Sequence, residues 1–208
     1  MKTRHTICSA LFVIFLMASC GPKIYQVKDS FQLAGKHKTI AIVPPAVSIA
    51  ANKKISAEAM IEQQKTESLN FQNEMYSWML KRKMQGKFRQ EIQDVITTNA
   101  KLKKAGYPET PMTSAEICSV LGVDGLITSR FSLSKPMSEG GAIALAIVFG
   151  WGATTNEVGT SVTIQDCSRN EMIWNYEHKY SGSIGSSPSR LVDALMQNAS
   201  KKMPYYRR

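Results

Sequence analysis

Thiols and imidazoles are the side chains of this chain with the most distinctive chemistry, and their spacing narrows what they can do. The four cysteines are Cys8, Cys20, Cys118 and Cys167, and the three histidines are His5, His37 and His178. Neither Cys-x-x-Cys nor His-Glu-x-x-His occurs, and no Cys/His cluster forms in sequence. Zinc-site spacing and a thioredoxin-like pair are therefore both missing. A nucleophilic serine on a Gly-x-Ser-x-Gly elbow is missing too. Gly140, Gly141, Gly150 and Gly152 do not have the Gly-x-Gly-x-x-Gly or Gly-x-x-x-x-Gly-Lys-Ser/Thr spacing that cradles phosphates. Glu58, Glu62 and Glu67 lie on one helical stretch at a spacing that favours solvent over an acid–base pair. His37 sits in a leader. His178, among Trp174, Tyr176 and Tyr180, reads as a packed, hydrogen-bonded histidine rather than a base or ligand. The expectation is a protein without catalytic residues, metal or cofactor.

Cys20 is the exception, because of what surrounds it. Met1-Lys2-Thr3-Arg4-His5 is a short basic start, 7–17 is apolar, and Ala18-Ser19 places small residues directly before the cysteine. A charged segment, an apolar core of about 7–15 residues and small residues before a cut describe a secretory signal. The apolar run is shorter than the roughly 20 residues a membrane helix needs. With the cysteine directly after the small residues, this region resembles the lipobox of bacterial lipoproteins, with Met17 at the position where Leu is commoner and Leu16 beside it. The resemblance implies that residues 1–19 are removed and that Cys20 becomes an N-terminus acylated by chains such as palmitate. It also implies a cell-envelope location, lipid-anchored and facing the periplasm or the surface. Gly21 stands where an aspartate would retain the protein in the inner membrane, so the outer membrane is favoured.

Cleavage would leave 189 of the 208 residues, enough for one domain. Lys2 and Arg4 leave with the signal, lowering the formal charge of +10 by two. A basic balance favours acidic partners, but the cations are dispersed. Lys81-Arg82-Lys83 and Lys101, Lys103 and Lys104 lie near helix C-termini, where they complement the helix dipole. A solvated basic surface follows, and an exported chain is not expected to bind nucleic acid. Cys118 and Cys167 remain after processing. A disulfide and two buried free thiols both satisfy a spacing of this kind in an oxidising compartment.

Several elements must position these residues. Residues 20–37 read as the lipidated N-terminus and a flexible tether. Residues 38–45 form a short, almost wholly apolar run ended by Pro44-Pro45, a strand buried on both faces. Ser56 caps a long helix through Met60, Phe71, Met75, Trp78 and Met79, which breaks at Gly86. A second helical pattern runs through Phe88, Ile92, Val95, Ile96 and Leu102 to Gly106. Thr113-Ser114-Ala115-Glu116 is a capping box opening a short helix that ends at Gly122. The period then becomes two over 124–135, 157–167 and 171–180, the last pair forming a hairpin. Ser187-Pro188 opens a final helix carrying Leu191, Val192, Leu195, Ala199 and Met203.

This order predicts a single α/β domain over 38–208, a mixed sheet of about four to five strands with helices packed on it. Three stretches resemble the α/β domain of the curli-secretion lipoproteins, the penicillin-binding-protein activator lipoproteins and the N-terminal domain of the Tol propeller protein. They are Thr39-Ile40-Ala41-Ile42-Val43-Pro44, the junction from Leu121-Gly122-Val123-Asp124 to Ile127, and the hairpin from Val162-Thr163-Ile164-Gln165-Asp166 to Met172-Ile173-Trp174. The resemblance implies an envelope setting and no catalytic role.

The most unusual stretch is a glycine-flanked insertion, 140–152, with no charge between Glu139 and Glu157. One reading makes it a strand or helix of the core. The other gives Ile143, Leu145, Ile147, Phe149 and Trp151 an interface or membrane contact. Two functions remain. One is a membrane-anchored, non-catalytic accessory or assembly lipoprotein that binds envelope proteins. The other is a self-assembling subunit of an outer-membrane secretion pore or ring.

Overall fold

The sheet is organised around one strand. The computed structural model describes residues 21–50, 55–134, 157–181 and 187–207. Within it β1 (Lys23–Gln26), β2 (Thr39–Ile42), β3 (Ala46–Ile49), β4 (Glu91–Ile92), β5 (Gly125–Leu133), β6 (Glu157–Asp166) and β7 (Glu171–Ser181) make one mixed sheet. Its order is β1-β7-β6-β5-β2-β4, with β3 also paired to β5. β2 lies parallel to the first half of β5, Ile40 beside Gly125, and β3 lies parallel to the second half, Ile49 beside Leu133. Pro44 and Pro45 fall between them. They have no N–H for a ladder, so they interrupt an otherwise continuous neighbour of β5.

The helices are α1 (Ser30–Lys36), α2 (Ala57–Met84), α3 (Val95–Lys104), α4 (Ser114–Leu121) and α5 (Pro188–Ser200). α2 and α5 pack on one face of the sheet. There Phe71 stacks on Phe131 with ring centroids 4.1 Å apart, and Met75, Met79, Leu191, Leu195, Val162 and Ile164 fill the surrounding space. α3 and α4 cover β2 and the start of β5 on the other face, burying Ala41, Val43, Leu102, Ile117, Leu121 and Leu126. β2 is thus enclosed on both sides, which is why its sequence reads as unbroken apolar residues.

Local signals account for the helix ends. Ser56 Oγ accepts from the Ala59 amide, and Thr113 and Glu116 complete a reciprocal capping box. Gly122, at φ 65°, takes the left-handed conformation that closes α4 and turns the chain into β5. Ser187 caps α5, with Pro188 in its first turn.

Three expectations need correction. The sheet has seven strands among the described residues rather than four to five, because β1, β3 and β4 are only 4, 4 and 2 residues long and leave little periodicity. The helix expected from Phe88 begins only at Val95. Asp94 Oδ1 accepts from the Thr97 amide and starts it there, while Glu91–Ile92 pairs in parallel with β2. The tether expected over 20–37 is part of the fold from Lys23 onward. β1 pairs antiparallel with β7, Lys23 beside Glu177 and Gln26 beside Trp174, and α1 buries Leu33 and Ala34 in the core.

Candidate functional site

His37, at the end of α1, stands at the centre of a buried polar chain. Its Nε2 lies 2.9 Å from Asp166 Oδ2, and its Nδ1 lies 2.6 Å from the Tyr205 hydroxyl. Asp166 is the last residue of β6 and Tyr205 belongs to the C-terminal tail beyond α5. The tautomer with hydrogen on Nε2 donates to Asp166 and accepts at Nδ1 from Tyr205, so the imidazole is fully used. The other carboxylate oxygen of Asp166 accepts from Ser168 Oγ at 2.7 Å and from the Arg169 amide at 2.8 Å. Burial alone would raise the Asp166 carboxyl. The hydrogen bonds from His37, Ser168 and Arg169 outweigh it and hold the group below the usual carboxylate range. Burial pushes the Tyr205 hydroxyl well above the ordinary phenol range, and the Asp166 and Asp124 charges add to the effect.

Gly125 makes the chain possible. A β-carbon there would press into the Tyr205 hydroxyl and lie 2.5 Å from His37 Nδ1. Beside it Asp124 Oδ2 accepts from the amides of Lys38 and Thr39, each at 2.8 Å. Arg169 bridges Asp29, ahead of α1, and Glu171 at the start of β7, each at 2.8 Å. Cys167, next to Asp166, forms a disulfide with Cys118 of α4, their α-carbons 5.7 Å apart. The disulfide, Lys36, Ser119, Asp124 and Arg169 border a cleft of about 710 Å³ against the His37–Asp166 pair.

Chemically, an Asp–His–Tyr chain has the polarity of a proton relay. Here Tyr205 is 2 % exposed, and its hydroxyl is packed against Gly125. The arrangement joins four segments of chain: the leader, β5, the β6–β7 turn and the C-terminus. His178 lies elsewhere, on β7. It meets Tyr180 edge to face at 4.5 Å, and burial holds its imidazole below the ordinary histidine range. Among the described residues no group of three or more His, Cys, Asp or Glu side chains is placed to hold a metal ion.

The second surface is the face of β1, β7, β6 and the end of β5 turned away from α2 and α5. Val158, Thr160, Val162 and Ile164 of β6 point into the core, and the alternate residues Gly159, Ser161, Thr163 and Gln165 stay half-buried. Asn175 Nδ2 joins Ser161 and Thr163 across the strands at 3.0 and 2.9 Å. Toward the Lys23 end, Arg130, Ser132, Glu177 and Lys179 border a shallow cavity of about 370 Å³ that Gly21 also lines.

Of the residues singled out from sequence, Cys20 and the run Ile143, Leu145, Ile147, Phe149 and Trp151 lie outside the described residues. Cys118 and Cys167 are brought together. The His37–Asp166–Tyr205 chain was not legible, since its members lie 129 and 168 residues from His37 along the sequence. Among the described residues, no helix is long and apolar enough to cross a membrane.

No described protein family and no curated protein matches the chain. Among solved structures, the lipoprotein GNA1162 from Neisseria meningitidis is similar over 80% of this chain and 97% of its own, at 10% identity and a TM-score of 0.44. The PelC dodecamer subunit from Paraburkholderia phytofirmans matches 90% of this chain and 99% of its own, at 11% identity and a TM-score of 0.42. The LpoB C-terminal domain from Salmonella enterica matches 73% and 94%, at 9% identity and a TM-score of 0.33. None is close enough to carry a function to this chain.

Proposed function

We propose that the chain is a lipid-anchored protein of the bacterial envelope whose α/β domain has a non-catalytic accessory or assembly role, binding other envelope proteins. The observation that carries this reading is Cys20, placed directly after Ala18-Ser19 at the end of a basic-then-apolar leader. A secreted setting agrees with the Cys118–Cys167 disulfide, since such bonds persist in oxidising compartments. The non-catalytic reading is supported by the burial of Tyr205, 2 % exposed, at one end of the acid–base chain. The outer membrane is the favoured site, by the residue that follows the cysteine.

Fractionation and capture test the proposal together. Wild-type protein should sediment with membranes and yield cross-linked envelope proteins, while Cys20→Ala should accumulate unprocessed or leave the membrane and lose those neighbours. A Cys20→Ala variant that is processed, anchored and cross-linked as before would end the reading. Native mass in mild detergent addresses the ring or pore: a discrete large oligomer favours it, and a monomer favours the accessory role.

A further inference from the structure

The distance between the proposed anchor and the folded domain fixes which way the domain faces. β1 begins at Lys23, three residues after Cys20. Three extended residues span about 10 Å, so an acylated Cys20 leaves no room for a tether. The sheet must lie close to the bilayer, with the Lys23 end of β1 toward the headgroups. Strand register identifies what else is at that end. Lys23 sits beside Glu177, Glu157 beside Ser181, and Leu133 beside Val158. Lys23, Arg130 and Lys179 are exposed around the cavity that Gly21 lines. Glu177 stands among them, and Glu157 pairs with Lys179 at 3.6 Å, leaving the patch basic overall. The ends of the chain that flank 135–156, Ser134 and Glu157, are bonded to each other at this same end.

Resting on the anchoring proposed above, we propose that this surface, built from Lys23, Arg130 and Lys179, is a docking face for anionic lipid headgroups in the bilayer that holds Cys20. Cations next to an anionic membrane surface are attracted within a Debye length; the short link holds Lys23 about 10 Å from Cys20, and Lys179 and Arg130 border the same cavity. The opposite end of the sheet, with the disulfide and the His37 cleft, then faces away from the membrane and stays open to soluble partners.

Amine footprinting of the acylated protein tests this. The mature protein is reconstituted in vesicles of phosphatidylcholine with or without phosphatidylglycerol, and lysine acetylation is read by mass spectrometry against the protein in detergent. On phosphatidylglycerol vesicles Lys23 and Lys179 should react at least fivefold more slowly, with Lys81, Lys103 and Lys104 unchanged. Arg130→Glu combined with Lys179→Glu should restore the reactivity of Lys23; both positions are exposed, so the fold is retained. If Cys20 carries acyl chains yet Lys23 and Lys179 react as in detergent, or Lys103 and Lys104 are shielded instead, the docking face is wrong and the anchor stands. If the same digest shows an unacylated N-terminus, the anchor fails and the docking face with it.

Discussion

His37 and Asp166, 129 residues apart in sequence, meet at 2.9 Å with both side chains only 4% exposed. This pair turns a leader that composition marks as a linker into a fixed part of the domain. It also places the start of the folded chain against the C-terminal tail, through Tyr205.

Removing the carboxylate should therefore unsettle several segments at once. Asp166→Asn weakens bonds from His37, Ser168 and the Arg169 amide, all at a buried site. Hydrogen bonds to charged groups contribute about 1.5–3 kcal/mol each in favourable cases. We expect a loss of about 2–4 kcal/mol, read as a lower denaturant midpoint with an unchanged slope.

The same carboxylate sets a pH dependence. Its folded pKa lies below the ordinary value, so its stabilising contribution is complete above the unfolded carboxylate pKa and disappears as pH falls through the folded one. Asp94 and Glu116, which cap α3 and α4, shift in the same direction. Wild-type stability should fall on acidification below the usual carboxylate range. Asp166→Asn should flatten part of that decline, as thermal melts from neutral pH downward would record.

Gly125 offers a steric test of the same chain. Gly125→Ala puts a methyl group against Tyr205 and His37, where neither ring has free space. Overpacking of this kind costs about 1–3 kcal/mol. Gly35→Ala, where a β-carbon meets nothing within 4 Å, should be nearly neutral by comparison. Equal losses in the two variants would mean that the Gly125 contact is not tight.

The disulfide closes a segment of 49 residues between α4 and the β6–β7 turn. Cross-links over loops of this size stabilise by about 2–4 kcal/mol. Cys118→Ser with Cys167→Ser should lower the unfolding midpoint accordingly, and reductant should lower that of wild type but not of the double variant. A wild-type midpoint insensitive to reductant would argue against the bond.

Elements that repeat a signal over many residues were readable from sequence. α2, with 28 residues behind the Ser56 cap, and the alternating β6 are of this kind, as are the capping box of α4 and the Ser187-Pro188 start of α5, whereas in β7 a bulge opposite Ile164/Gln165 breaks the alternation, burying Ile173 and leaving Met172 exposed. Short elements that depend on a partner were not. β1 is held by pairing with β7, and β4 by pairing with β2, so neither carries an internal period. β3 lay hidden behind the proline pair. Phe88 matched the helical spacing by coincidence and instead packs against Trp78 and Tyr206. The polar chain was hidden for another reason. Asp166 gave no sign in an alternating strand, and Tyr205 stands past Pro204, beyond the end of the final helical pattern. Only the three-dimensional closure of the chain brings them to His37.

Mass analysis of the N-terminal tryptic peptide, taken from protein extracted from membranes, decides whether Cys20 is the lipid anchor. Lipid anchoring at Cys20 requires a peptide that begins at Cys20, ends at Lys23 and carries the added mass of a diacylglyceryl thioether. A peptide that begins at Met1, or at an unmodified residue on either side of Cys20, would contradict it.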